Sequence, residues 1–352
     1  MSAAVAALGG WVATELLDVT DDPSALDSTG WWAVSLPFEG PPVFARFDRP
    51  RRAPVPSPAP SPAQGRWPGI DPASWSSSLD REAFEARVEA IRATIARGGV
   101  YQVNLTRRLS APLPTGSDPY LLAPALAGLL AERHPAPHAG HLVLPSHGIA
   151  VVSASPERFL RREGRTVLSE PIKGTAPAAG SGGAGGAEVR FGEKDRAENV
   201  MIVDLVRNDL GRVCEPGSVT VPSLFRQEHQ PGLVHLVSGV RGRLVDGLGW
   251  PELLDATFPP GSVTGAPKLA ACDAISELEP ASRGPYCGAL GWVDADAGVG
   301  DLNVAIRTFW LADGSLHFGT GGGITWSSDP SGEWEETVLK SRRLISAVAR
   351  PW

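Results

Sequence analysis

Cysteine is scarce in this 352-residue chain: Cys214, Cys272 and Cys287 are widely spaced and form no CxxC pair. That excludes a disulfide framework and argues against a thiolate zinc site. Long apolar runs are missing too. No window approaches the ~18 consecutive apolar residues of a membrane span, and the first residues carry neither a basic stretch nor a sustained apolar one. The expectation is a soluble, cytoplasmic chain with no membrane partner. Nor is there a surplus of positive charge, since 32 basic residues face 39 acidic ones for a formal net charge of −7. A nucleic-acid footprint is therefore lacking, and any anionic ligand must be held by a few placed cations. Only four of the basic residues are lysines, namely Lys173, Lys194, Lys268 and Lys340. Where arginine serves everywhere else, a retained lysine invites a search for neutral-amine chemistry, which a guanidinium cannot do.

What is present suffices to fold. With 42% hydrophobic and 20% charged residues the chain can bury a substantial core, and its length suits one large or two medium domains. Residues 1–50 hold short strand-like runs (Trp31 to Leu36, Val43 to Phe47) between glycines and prolines, a β-rich segment expected to pack on the core. Residues 51–68 turn to Pro, Ser, Ala and Arg, which predicts a linker or surface loop. AAGSGGAGGA, residues 178–187, reads as a flexible loop. Helical periodicity marks DREAFEARVEAIRATIA, with Phe84, Val88, Ile91 and Ile95 on one face and Gly98-Gly99 as its stop, and then residues 121–133, 194–210, 268–278 and 335–349. Strand-like stretches at 100–109, 141–144, 149–154, 159–168, 218–221, 233–244, 286–293, 303–311 and 316–319 show no regular βαβ alternation. The fold class that follows is α+β with antiparallel sheets.

Several residues could carry chemistry. Asp195 and Glu198 in KDRAEN, and Glu333 and Glu336 in GEWEET, are spaced by three, so each pair shares a helix face. If the two helices face each other, four carboxylates can surround a hard cation such as Mg²⁺; otherwise they are two solvated faces. Lys173 in SEPIKGTAP is either a surface lysine or, if desolvated, a nucleophile. Glu157 in SASPERF is a general acid or base, or an exposed carboxylate at a hairpin end. FPPGSVTGAPK and GTGGGITW fit neither GxxxxGK[ST] nor GxGxxG, so nucleotide binding is disfavoured. Their glycines are tight turns or let backbone N–H groups reach an anion. His235 lies among apolar neighbours, as a core histidine would. Arg307, in AIRTF, needs an anionic partner if it points inward, either a substrate carboxylate or an internal acid. No GxSxG or GxCxG elbow is present, so no amidase site is encoded.

Taken together, YQVNLT, SASPERF, EPIKGT, KDRAENVMIVDLVRNDLGRVC, HLVSGVRG, FPPGSVTGAPK, RGPYCGALGW, NVAIRTF and GGGITWSSDP followed by EWEET resemble the chorismate-binding enzyme family. Within it they are most similar to the branch of aminodeoxychorismate synthase component I. The motifs are co-linear over residues 80–352, so the resemblance makes 69–352 a chorismate-binding catalytic domain of two antiparallel sheets packed as a sandwich-like core with helices outside. It further implies Glu198 and Glu336 as direct Mg²⁺ ligands, with Asp195 and Glu333 completing the shell. Arg307, Tyr286 and the backbone of Gly321, Gly322 and Gly323 would hold the enolpyruvyl carboxylate, and Ser262 and Lys340 would line the pocket. Glu157, assisted by His235, would protonate the departing 4-hydroxyl. The family's aminodeoxychorismate synthases have lysine in PIKGT, where anthranilate synthases have alanine, so Lys173 implies the former. Gln102 in YQVN stands where isochorismate and salicylate synthases keep a water-activating lysine, and a glutamine is no base at neutral pH. Ammonia from a separate glutamine amidotransferase subunit is then the expected nucleophile. The alternatives are a 2-amino product, as in anthranilate or 2-amino-2-deoxyisochorismate synthases, and a non-catalytic chorismate-binding regulatory subunit. The short N-terminal part and the replacement of the segment after PIKGT by APAAGSGGAGGA depart from the family pattern.

Overall fold

The structure, a computed structural model, describes residues 3–53, 66–177, 189–230 and 233–351. Among these, the strands form two antiparallel sheets of ten. In the first, the order is Gly265–Ala266, Gln102–Pro112, Ser315–Ile324, Thr308–Ala312, Ile149–Ser155, His138–Leu144, Val5–Leu8, Trp11–Ala13 and Arg51–Arg52, with Ser76–Ser77 also paired to Gln102–Pro112. In the second, it is Ile172–Pro177, Leu233–Arg243, Thr166–Glu170, Arg158–Glu163, Val299–Val304, Ala289–Asp294, Trp31–Leu36, Val43–Asp48 and Glu15–Thr20, with Thr220–Gln230 also paired to Leu233–Arg243. Six helices accompany them: α1 (Arg81–Ala96), α2 (Pro119–Arg133), α3 (Glu193–Gly211), α4 (Trp250–Thr257), α5 (Lys268–Leu278) and α6 (Pro330–Val348). None is long and apolar enough to cross a membrane.

Strand alternation explains the layering. Leu142, Leu144 and Val151 join Trp31, Phe44 and Leu290 of the second sheet in one apolar cluster. Their chain neighbours Val143, Ala150 and Val152 face the other way and pack on Leu122, Leu126 and Leu129 of α2. A period of two therefore gives the first sheet one face against its partner sheet and one face under helices. The first 50 residues contribute strands to both sheets. The expected loop at 178–187 and most of the expected linker, residues 54–65, lie outside the described residues, but Trp67 at the linker's end is fully buried and its indole N–H donates to the Val348 carbonyl at 2.7 Å.

Local signals set the helix ends. The Asp80 carboxylate accepts from the Ala83 N–H at 2.8 Å, Phe84, Val88 and Ile91 are buried, and Gly98 at φ +78° follows the last turn of α1. Two helices differ from the periodicity. Helix α4 went unmarked because eight residues are too few to show a period. Helix α6 begins at Pro330, five residues early, because Asp329 caps it through the Gly332 N–H at 2.8 Å; Glu333 thereby enters its first turn.

The most consequential difference concerns 303–311. It is two strands, not one: Val299–Val304 belongs to the second sheet and Thr308–Ala312 to the first. The chain steps between sheets at Ala305–Arg307, and Arg307 takes the left-handed conformation, φ +51°. A matching step at Pro156-Glu157 joins Ile149–Ser155 to Arg158–Glu163. The two steps are stitched together: the Ala154 N–H donates to the Arg307 carbonyl and the Val304 N–H to the Glu157 carbonyl, each at 3.0 Å.

A buried ion pair fixes the neighbouring strand. Arg283 pairs with Glu279 at 2.6 Å, the side chains 1% and 5% exposed, and donates to the Asn104 and Val263 carbonyls. Glu279 also accepts from the Thr106 N–H and hydroxyl. Glu279→Ala would strand a buried guanidinium, so we expect a loss of roughly 3–5 kcal/mol, measured as a lowered denaturant midpoint at unchanged slope.

Candidate active site

Lys173 lies on the edge strand Ile172–Pro177 of the second sheet, half-buried, and its amine reaches across to Ser315–Ile324 of the first. A Cβ built on Gly323 would sit 3.4 Å from Lys173 Nζ and 2.1 Å from Gln102 Nε2. Glycine is thus required where these two side chains converge. Gln102 is fully buried, and among the described residues neither end of its carboxamide has a hydrogen-bond partner. Buried amides are nearly always satisfied, so this one marks a place for a polar ligand. Burial pushes the Lys173 amine below its ordinary range; Glu198 pulls it back and Lys340 pushes it further down. Gly323→Ala is expected to leave the melting temperature within a few degrees, because the crowded atom is the end of a side chain, yet to displace Gln102 toward Lys173. Any turnover this site supports should fall at least about tenfold, a barrier increase of about 1.4 kcal/mol.

Glu157 is 3% exposed at the step between sheets. Burial raises its carboxyl to about 7, against a hydrogen bond from Ser262 and the charges of Lys173 and Arg307, which lower it. It is therefore a carboxylic acid for much of the time near neutral pH, as a general acid must be. Ser262 thus acts on Glu157.

Among the described residues no carboxylate lies within ion-pair distance of Arg307, and its side chain meets His235 Nε2 at 3.4 Å. Burial, and then Arg343, lower its guanidinium to about 10. Burial and Arg307 take the His235 imidazole down to about 4, so it is neutral. A guanidinium only donates, so Nε2 accepts, Nδ1 carries the hydrogen, and Thr175 Oγ1, 2.9 Å away, accepts from it. The ring of His235, expected to assist Glu157, stands on Arg307 and Thr175, because the Leu233–Arg243 strand pairs His235 with Thr175 in register.

The glycine strand offers backbone donors. The Thr106 N–H goes to Glu279 and the Asn104 N–H to the Thr264 carbonyl, although these residues stand opposite Gly321 and Gly323. Both are therefore non-hydrogen-bonded pairs, and Gly321 and Gly323 turn their own N–H and C=O groups to the other edge. There Thr308–Ala312 has already ended, its last register partner being Phe318. Lys340 takes the Gly321 carbonyl at 2.9 Å. Tyr286 is buried in the apolar core with its ring over Gly319, two residues along the same face from Gly321.

The acids of α3 and α6 meet only in part. A Cβ on Gly322 would be 3.1 Å from Glu333 Oε2 and 3.9 Å from Glu336 Oε1. Lys194 Nζ bridges Glu198 at 3.8 Å and Glu333 at 3.6 Å, and Lys340 pairs with Glu336 at 2.7 Å. Burial and then the neighbouring acids Glu333 and Glu336 raise the Glu198 carboxyl, against Lys173 and Lys194; Lys340 lowers that of Glu336. Asp195 departs from the expected set: its carboxylate accepts from the Gly192 N–H at 3.1 Å and closes the first turn of α3. Among the described residues no three acid, histidine or cysteine side chains lie close enough to enclose an ion as they stand. The donor chemistry nevertheless fits a hard divalent cation, since three carboxylates from two helices face one another with only lysines to balance them.

Sequence reasoning gave no role in the site to three residues. Asn199 donates to the Lys173 and Leu236 carbonyls and accepts from the Ser238 hydroxyl, tying α3 to both strands of the site. Its signal was a polar residue on the buried face shared with Ile202, Val203 and Val206. Thr175 follows Lys173 by two in a strand. Lys194 stands one turn before Glu198.

Residues 51–346 match the chorismate binding enzyme family. The chain belongs to that family. It is 43% identical over 308 residues to anthranilate synthase component 1 of Streptomyces coelicolor, an alignment covering 85% of this chain and 58% of that one. It is also 39% identical over 276 residues to aminodeoxychorismate synthase component 1 of Salmonella typhimurium, covering 78% and 59%. The chain thus spans less than two thirds of the length of these curated relatives. In fold it resembles MenF, the menaquinone-specific isochorismate synthase of Escherichia coli, with a TM-score of 0.78 at 16% identity over 99% of this chain and 89% of that one.

Proposed function

We propose that this member of the family aminates chorismate at C4 with ammonia, as an aminodeoxychorismate synthase component I. The observation that carries the reading is the Lys173 amine, desolvated and set against Gly323 beside an unsatisfied Gln102. Lowering the basicity of an amine enlarges its neutral, nucleophilic fraction. Its lone pair adds at ring C2, the ring double bonds shift, and the C4–O bond breaks as Glu157 protonates the departing hydroxyl to water. The lone pair of ammonia then forms the C4–N bond, the double bonds shift back, and the C2–N bond to Lys173 breaks. The net change is chorismate plus ammonia to 4-amino-4-deoxychorismate plus water.

Binding follows from charge. Arg307 and the outward N–H groups of Gly321 and Gly323 suit the enolpyruvyl carboxylate, and the His235–Thr175 pair holds the guanidinium in place. Glu198, Glu333 and Glu336 would hold Mg²⁺, which supplies charge neutralisation and a fixed point for the ring carboxylate. Gln102 can orient a small nucleophile but not deprotonate water. No amidase elbow occurs in the sequence, so a separate glutamine amidotransferase subunit would deliver the ammonia.

Incubation of the purified chain with chorismate, Mg²⁺ and ammonium at alkaline pH tests this. A ring aminated at C4 is expected. Amination at C2 would move the reading to an anthranilate-type or 2-amino-2-deoxyisochorismate-type enzyme, and chorismate binding without turnover would make the chain a silent regulatory subunit.

A further inference from the structure

Lys194 sits where helix physics gives it no reason to be. It occupies the first turn of α3, where the macrodipole favours anions. It precedes its partner Glu198 by four, the weaker orientation of a helical ion pair. Its ammonium nevertheless reaches from α3 to Glu333 of α6 and touches an acid on each helix, at 3.8 and 3.6 Å. Glu333 is 5% exposed, and its Oε1 accepts from the Ser328 hydroxyl as well as facing Lys194. The Lys194 side chain is itself half-exposed, 51%, with an open way back to solvent. The choice of residue also matters. In a chain with four lysines among 32 basic residues, an arginine here would grip the carboxylates with a planar fork, whereas an ammonium is a compact charge that can be withdrawn.

We propose that Lys194 is the built-in counter-ion of the cation site: its ammonium holds the acids of α3 and α6 apart but neutralised until a divalent cation displaces it, and so sets the affinity of the site. The inference rests on the reading of Glu198, Glu333 and Glu336 as cation ligands given above. It accounts for the fact that, as the side chains stand, those acids face one another without enclosing an ion. Binding is then an exchange of one cation for another, in which the two carboxylates close and Lys194 swings into water.

The test is calorimetric titration of the full chain with Mg²⁺, without chorismate, for the wild type, Lys194→Gln and Lys194→Arg, together with thermal melts with and without the ion. Lys194→Gln should bind Mg²⁺ roughly tenfold more tightly, melt at a lower temperature without the ion, and gain more from its addition. Lys194→Arg should bind more weakly than wild type. Equal or weaker binding by Lys194→Gln, where the wild type binds, overturns the counter-ion role and leaves the cation site standing. Absence of binding by the wild type overturns the cation site and the inference with it. Should Lys194→Gln not fold in either condition, the arginine variant decides: weaker binding supports the proposal and unchanged binding refutes it.

Discussion

Lys173→Ala is expected to cut amination of chorismate at C4 by roughly 10³-fold or more, about 4 kcal/mol of barrier, while chorismate still quenches tryptophan fluorescence with an affinity within a few-fold of wild type. The physical ground is that, in the proposed mechanism, the amine forms a bond, while among the described residues it makes no ion pair; its environment lowers its basicity chiefly by burial. Removing it leaves Arg307, the glycine edge and the acids in place. A variant that still aminates C4 at the wild-type rate would defeat covalent catalysis by Lys173. One that shifted the amine to C2 would instead show the lysine choosing the product.

Glu157→Gln should lower kcat by roughly 10²–10⁴-fold, the usual range for a positioned acid. It should also remove one limb of the pH profile. With the carboxyl raised to about 7 by burial, the protonated form prevails below that pH and is lost above it, so wild-type kcat falls as pH rises through about 7 once free ammonia is held constant. The variant's profile should be flat there. The same shift has a stability counterpart of determinate sign. A carboxyl that ionises at higher pH folded than unfolded favours folding below its unfolded value and loses that contribution as pH climbs through about 7. Glu157→Gln should therefore be relatively more stable than wild type at pH 8 than at pH 5, by comparison of denaturant midpoints.

Much of the architecture was written in short-range pattern. The alternation of Leu142, Val143 and Leu144 states which face meets which layer, whereas the apolar period misplaces the start of α6 by five residues because the cap at Asp329 lies ahead of it. The convergence of Lys173, Gln102 and Gly323 was legible only as motif order, since the three lie on two sheets and no local period connects them. What stayed hidden was competition for the same group. Asp195 has the spacing of a ligand, but a carboxylate three residues after Gly192 at a helix start is drawn to the orphan N–H there. His235 likewise looks like an acid's helper until the strand register hands it to Thr175. The break at Ala305–Arg307 carries neither glycine nor proline, so an apolar run read as one strand concealed a change of sheet.

That change of sheet has a consequence for how the molecule ages and evolves. Glu157 and Arg307, the proposed proton donor and carboxylate anchor, are carried by the two stitched steps where the chain leaves one sheet for the other, so neither can drift without the other, and relative slippage of the layers would misplace both together. Activity should then vanish on warming before circular dichroism registers any loss of strand, whereas α2, which packs on the far face of the first sheet and carries none of the site's side chains, is free to vary at little catalytic cost.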